Sequence, residues 1–267
     1  MQKGVSNRKM AKGTKNHSSA ADLREPEIKA ALIDALFAEG MICDDTVIVS
    51  EMPVFSMSRR ADIVMANGRL IGFEIKSDGD KTSRLSGQLA AYQEAFEGIV
   101  VVTGAKHLEE CLKSTPETVG LVAIDQIENS LPIARLVRKP FLRMMSTEEA
   151  ITQMRADELY KLTRQVKANP TRSRDRFTLE SIVRGLPARI VRNAALDAIK
   201  SRYRAPYEAF FAARAKNCST LSALTHLRRP MAHRGASPRV DPNAICAELE
   251  KSELSTLSLC VRPRRRS

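Results

Sequence analysis

The segment Arg60-Ala61-Asp62-Ile63-Val64, then Asn67-Gly68, then Phe73-Glu74-Ile75-Lys76-Ser77, constrains this chain more than any other. Ala61–Met65 and Leu70–Lys76 are rich in Ile, Val and Phe, as strands are, and Asn-Gly between two such runs signals a hairpin. Loop length decides which side chains meet, because a one-residue slip turns every side chain to the other face. A two-residue loop pairs Ala66 with Arg69 and sets Asp62 opposite Phe73. A three-residue loop, Ala66-Asn67-Gly68 with Gly68 left-handed, pairs Met65 with Arg69 and Asp62 with Gly72. That second register gathers Asp62, Val64, Leu70, Gly72, Glu74 and Lys76 on one face. Ile63, Met65, Ile71, Phe73 and Ile75 then form a wholly apolar face suited to packing on helices. The three-residue loop is therefore expected, with Gly72 leaving open space beside Asp62 and Glu74.

Two carboxylates held close repel each other unless positive charge lies between them. Mg²⁺ or Mn²⁺ suits such a place, since Mg²⁺ takes hard oxygen ligands and needs only one or two carboxylates. A metal there polarises a phosphorus centre and acidifies bound water, and Lys76 can orient that water or offset charge on a phosphate. Glu74 and Lys76, two apart, share a face with backbones about 7 Å apart. The same tripeptide also fits an ordinary solvated strand face. Arg84-Leu85-Ser86-Gly87-Gln88-Leu89-Ala90-Ala91-Tyr92 follows, opening a helix that runs to about Phe96 with Leu85, Leu89 and Phe96 as its apolar stripe. Gln88 and Tyr92, four apart, share a helical face and can hold a phosphate or order a metal-bound water. They equally suit plain half-exposed helix positions.

Glu51, Asp62, Glu74-Ile75-Lys76 and Gln88-x-x-x-Tyr92 together resemble the PD-(D/E)XK nuclease superfamily. Arg60-Ala61-Asp62-Ile63, Gly72 to Asp80 and Arg84 to Tyr92 look like an uncharacterised bacterial family within it. The likeness spans about residues 25–203. It implies a restriction-endonuclease-like αβββαβ core with a mixed sheet. It also implies metal binding by Asp62, Glu74 and the Ile75 carbonyl, with Lys76 as catalytic lysine. An acid on the first helix completes such sites, and Glu27 is the preferred candidate over Glu25. The implied activity is Mg²⁺- or Mn²⁺-dependent hydrolysis of phosphodiester bonds, in DNA ahead of RNA. The alternative is a nuclease-fold protein without turnover, serving as a nucleic-acid-binding or regulatory module.

With 267 residues and 43% hydrophobic content, the chain can bury one sizeable core plus an appendage. Aromatic content of 4% argues against single-strand binding by base stacking. The net charge of +12 favours a polyanion partner, or else resides in disordered ends. Cys43, Cys111, Cys218, Cys246 and Cys260 form no Cys-x-x-Cys pair, so a zinc ribbon or thioredoxin-like site is unsupported, and their odd count and wide spacing suit a reducing cytoplasm. His17, His107, His226 and His233 show no metal-ligand spacing. No signal peptide, no apolar run long enough to span a bilayer and no Walker loop is found.

Residues 1–22 read as a disordered basic arm and 23–140 as the nuclease-like α/β domain. Within that domain, Glu25-Pro26-Glu27 opens a helix that Gly40 stops. Thr46–Glu51 is a strand closed by Pro53, where Glu51 either approaches the metal or lies on the surface. Asp78–Ser83 is either a mobile loop gripping phosphate or a connector. Ile99–Thr103, Leu121–Ile124 and an edge run Ile133–Val137 are strands, with Lys106–Lys113 a helix between the first two. Residues 141–217 read as a helical region: Thr147–Val166, a break at Asn169-Pro170, Leu179–Leu186, Ile190–Tyr203 and Tyr207–Ala215. Arg184, Arg189, Arg192, Lys200, Arg202 and Arg204 give it a basic aspect, which fits either a helix-turn-helix or a cap on the sheet. Residues 218–267 read as a largely disordered basic tail with an isolated helix at 243–254. The oligomeric state is not fixed by the sequence.

Overall fold

The computed structural model describes residues 23–54, 59–126, 130–166, 171–216 and 219–227. The expected basic arm at 1–22, the break at Asn169-Pro170 and the helix at 243–254 lie outside the described residues. Helix α1 (Glu25–Ala38) starts with Pro26 and two acids in its first turn, and Gly40 follows it at φ +63°. Proline, early acids and a left-handed glycine past the end are the physical start and stop signals of a helix.

Strands β1 (Val47–Val54), β2 (Arg59–Ala66) and β3 (Leu70–Lys76) form an antiparallel meander. The β2–β3 loop has three residues, but they are Asn67-Gly68-Arg69. Ala66 pairs with Leu70, Met65 with Ile71 and Val64 with Gly72. The parity is the expected one and the pairing is shifted by two residues. Gly68 takes φ +93°, which only glycine adopts readily, and the Asn67 side chain is buried with its Nδ2 on the Met41 carbonyl at 3.0 Å. That anchor draws Asn67 and Arg69 into the loop.

Helix α2 (Leu85–Ala95) leads to β4 (Gly98–Gly104), which pairs parallel to β3. Helix α3 (Ala105–Ser114) leads to β5 (Gly120–Asp125), parallel to β4, and β6 (Ile133–Arg138) closes the sheet antiparallel. The result is one mixed six-stranded sheet in the order β1-β2-β3-β4-β5-β6. Every residue of β3 and β4 is buried, as central strands covered on both faces must be. Pro53 does not close β1. It sits inside the strand opposite Arg60, which an edge strand permits because no outer ladder needs its N–H.

The helical region departs further from expectation. Thr147–Val166 is two helices, α4 (Thr147–Gln153) and α5 (Ala156–Val166). Met154 is buried and extended between them, and the Glu158 carboxylate accepts the Arg155 N–H at 2.7 Å, starting a new helix there. Helix α6 (Arg176–Arg184) is capped by Asp175. The last two expected helices are one, α7 (Ala188–Ala215), which runs through Pro206. Buried Tyr203, Tyr207, Phe210 and Phe211 hold it together against the loss of a backbone hydrogen bond at proline. Helix α7 packs on α4 and β1, so this region caps the sheet. Its cations serve that packing: Arg192 pairs with Glu97, Lys200 with Asp45 and Arg202 with Glu158. The cap includes α8 (Thr220–Ala223), where Thr220 and Ala223 are buried, and Leu227 just beyond it, so residues 219–227 belong to the cap rather than to the tail expected from 218.

Candidate active site

The register brings three acids from three strands into one row. Ser50–Ile63 and Met52–Ala61 flank Glu51 and Asp62, and one step beyond Ile63–Phe73 sets Asp62 across from Glu74. Asp62 Oδ2 accepts the Ile75 N–H at 2.7 Å. Burial, then the neighbouring Glu74 charge, pushes the Asp62 carboxyl up to about 8, against the pull of the Ile75 N–H and Lys29. Glu74 is buried, with Oε1 accepting from Lys76 Nζ at 2.7 Å and Oε2 lying 2.7 Å from the Tyr92 hydroxyl. Lys76, also buried, donates to Gln88 Oε1 at 2.9 Å. The Tyr92 hydroxyl also lies 2.7 Å from the Arg60 carbonyl, and its single proton serves one acceptor at a time. Burial, and then the Glu74 charge, raises the Tyr92 phenol above its ordinary range, so it remains a donor.

Thus the site residues expected from strand and helix spacing meet, Asp62, Glu74, Lys76, Gln88 and Tyr92, while Ile75, which the resemblance brings in through its carbonyl, joins them through its N–H to Asp62. Gln88 and Tyr92 reach side chains of the site, one holding Lys76 and the other Glu74. The expected open space at Gly72 is absent. A Cβ there would lie 2.5 Å from the Phe96 ring, so glycine admits Phe96 rather than a ligand. The segment after Lys76 is tied down, with Asp80 accepting the Ser77 N–H at 2.8 Å and Asp78 Oδ2 the Leu23 N–H at 2.9 Å. Asp80 and one oxygen of Asp78 thus serve connecting structure, while Asp78 Oδ1 is buried without a partner among the described residues.

Helix α1 contributes differently from expectation. Oxygens of Glu25, Glu51 and Asp62 all lie within 4.8 Å of one another, whereas Glu27 stands apart from that trio. Glu27 pairs through Oε1 with Arg24, and its Oε2 is buried without a partner among the described residues. The reason is angular: two residues along a helix turn a side chain by about 200°, so Glu25 and Glu27 cannot face the same point. Buried Lys29, one turn after Glu25, bridges Glu25 Oε1 at 2.5 Å and Glu51 Oε1 at 2.6 Å. Burial opposes its charge, but the hydrogen bonds to Glu25 and Glu51 prevail and raise its pKa. Lys29 was missed by sequence reasoning, and the i, i+4 spacing of Glu25 and Lys29 was the available signal. Glu51 adopts φ +57°, a conformation that favours glycine and costs about 1–2 kcal/mol for other residues. Such strain concentrates at functional sites.

The donor set fits a small divalent cation. Three carboxylates converge and all offer hard oxygen, with the Lys29 ammonium bridging two of them and burial raising the pKa of the third, Asp62. Glu74 lies outside the trio, with both oxygens engaged by Lys76 and Tyr92.

Residues 18–228 match the family model described as bacteriophage P4 protein cII. Protein cII of Enterobacteria phage P4 is 34% identical over 183 residues, covering 68% of this chain and 69% of that protein. A solved structure of a protein of unknown function from Silicibacter pomeroyi is 20% identical with a TM-score of 0.36, covering 48% of this chain and 79% of that one.

Proposed function

This chain belongs to the bacteriophage P4 protein cII family, and from its geometry we propose that it is a metal-dependent nuclease of PD-(D/E)XK type, acting on DNA ahead of RNA. The observation that carries the reading is Lys76, buried and fixed between Glu74 and Gln88, one strand across from Asp62. An ammonium fixed beside clustered acids is the arrangement that phosphodiester hydrolysis uses.

Asp62, with Glu25 and Glu51 in the place expected of Glu27, would hold Mg²⁺ or Mn²⁺, and Glu74 and the Ile75 carbonyl would complete the set once Glu74 gives up its bond to Lys76 or Tyr92. When bound, the cation supplies Lewis-acid polarisation of a phosphoryl oxygen and acidifies water. Lys76 orients the attacking water and offsets charge on the phosphate. Gln88 fixes the Lys76 ammonium, and Tyr92 fixes Glu74. Lys29 neutralises Glu25 and Glu51, so the acids can stand close without unfolding the strand ends. Free Cys43 and Cys111 suit a reducing compartment such as the cytoplasm, and no described helix is long and apolar enough to cross a membrane.

Calorimetric titration with Mn²⁺ tests the site. The wild type should bind the ion with release of a proton near pH 7, and Asp62→Ala should lose both signals. A wild type unable to take up Mn²⁺ would favour a nuclease fold without turnover.

A further inference from the structure

Four cations at the edge of the candidate site have no internal task. Arg59, Arg60, Lys81 and Arg84 are exposed, and none makes a hydrogen bond or ion pair through its side chain among the described residues. This sets them apart from Arg192, Lys200, Arg202 and Arg214, each spent on an acid of the fold. Their positions bracket the chemistry. The Arg60 carbonyl holds the Tyr92 hydroxyl that reaches Glu74. Arg59 extends to α2, where a side chain on Gly87 would begin 3.6 Å from its Nη2. Gly87 adjoins Gln88, the partner of Lys76. Arg84 directly precedes α2, and Lys81 lies three residues before it. Exposed Ser83 and Ser86 add hydroxyl donors between them.

We infer that Arg59, Arg60, Lys81 and Arg84 form a phosphate-gripping rim that lays a nucleic-acid backbone across the mouth of the site. Guanidinium groups take phosphate oxygens in pairs, and each phosphate neutralised releases a counterion. The clustering of unpaired charge next to Lys76 is what selects this surface. The inference rests on the nuclease reading for its purpose, though backbone binding is measurable without cleavage.

The full chain and a variant carrying R59A, R60A, K81A and R84A are titrated with labelled duplex DNA in EDTA at several salt concentrations. Cleavage is followed separately with Mn²⁺. The variant should lower the slope of log affinity against log salt by two to four, at about 0.9 per phosphate contact. Its KM should rise at least tenfold with kcat within about threefold of wild type. A variant with lysine at positions 59, 60 and 84 should restore the slope, and Lys161→Ala, an exposed residue on α5, should leave it unchanged. An unchanged slope in the quadruple variant overturns the rim, whatever cleavage does. A reduced slope in a protein that never cleaves leaves the rim standing and overturns the nuclease reading.

Discussion

Asp62 lies under two opposed influences, crowding by burial and Glu74 against the Ile75 N–H and the Lys29 charge. Crowding wins, so the folded protein keeps a proton that the unfolded chain releases above an ordinary carboxyl value of 3.8. The folded state then binds more protons than the unfolded one between about pH 4 and about 8, and stability falls as pH rises through that window. Metal-free wild type should therefore melt at lower temperature at pH 8 than at pH 5, and Asp62→Asn should remove most of the slope. Equal slopes in the two proteins would show that Asp62 is ionised throughout. Tyr92 offers a second test at this scale. Tyr92→Phe keeps the ring packed on Phe96 but removes the hydroxyl that lies on Glu74 Oε2. A loss of about 1–3 kcal/mol is expected in urea denaturation, since a buried acceptor is left short of a donor. No loss would mean that Glu74 is satisfied without it.

At the scale of elements, the β2–β3 hairpin is held from outside as well as by its own pairing. Glu97, with its side chain fully buried, accepts the Leu70 and Met145 N–H groups at 3.0 Å, and its Oε1 takes Arg192 of α7 at 2.5 Å. Arg192 also donates to the Gly68 carbonyl at 2.7 Å, so the cap helix grips the hairpin loop itself. Arg192→Ala should cost about 3–5 kcal/mol by leaving a buried carboxylate unpaired. Pairing it with Glu97→Gln should cost less than the sum of the two, measured as a double-mutant cycle. Gly72→Ala should cost about 1–3 kcal/mol, with part recovered by Phe96→Leu, because the added methyl collides with the Phe96 ring. Elements with a local cause were legible in the sequence. Pro26 with Glu25 and Glu27, the β-branched run Ile99–Thr103 and Asn67-Gly68 each carry their signal within a few residues. The loop register was not, because the anchor of Asn67 on Met41 is 26 residues away. The break at Met154 and the continuity of α7 through Pro206 were not, because tertiary packing decided both. In the site, the pairs Glu74 with Lys76 and Gln88 with Tyr92, each on one element, were legible. The rank of Glu25 over Glu27 and the part of Lys29 were not, because both are decided by Glu51, which comes from another element.

Across the whole molecule, charge and chemistry are separated. Most of the surplus of +12 lies in residues 1–22 and 228–267, while the folded part pairs many of its cations internally. Arg59, Arg60 and Arg84 stay exposed beside the site, where the proposed rim would use them, and the acids of the site come from α1, β1, β2 and β3 together. The central claim is that these groups cut a phosphodiester. It is tested most directly by incubating supercoiled plasmid with purified wild type and Lys76→Ala, with and without Mn²⁺. Nicked circles should accumulate with wild type in Mn²⁺ alone and fall at least a hundredfold with Lys76→Ala, assayed well below the variant's melting temperature, which drops because Glu74 loses its buried partner. Plasmid left intact by the wild type, or nicked equally by the variant, would contradict the account.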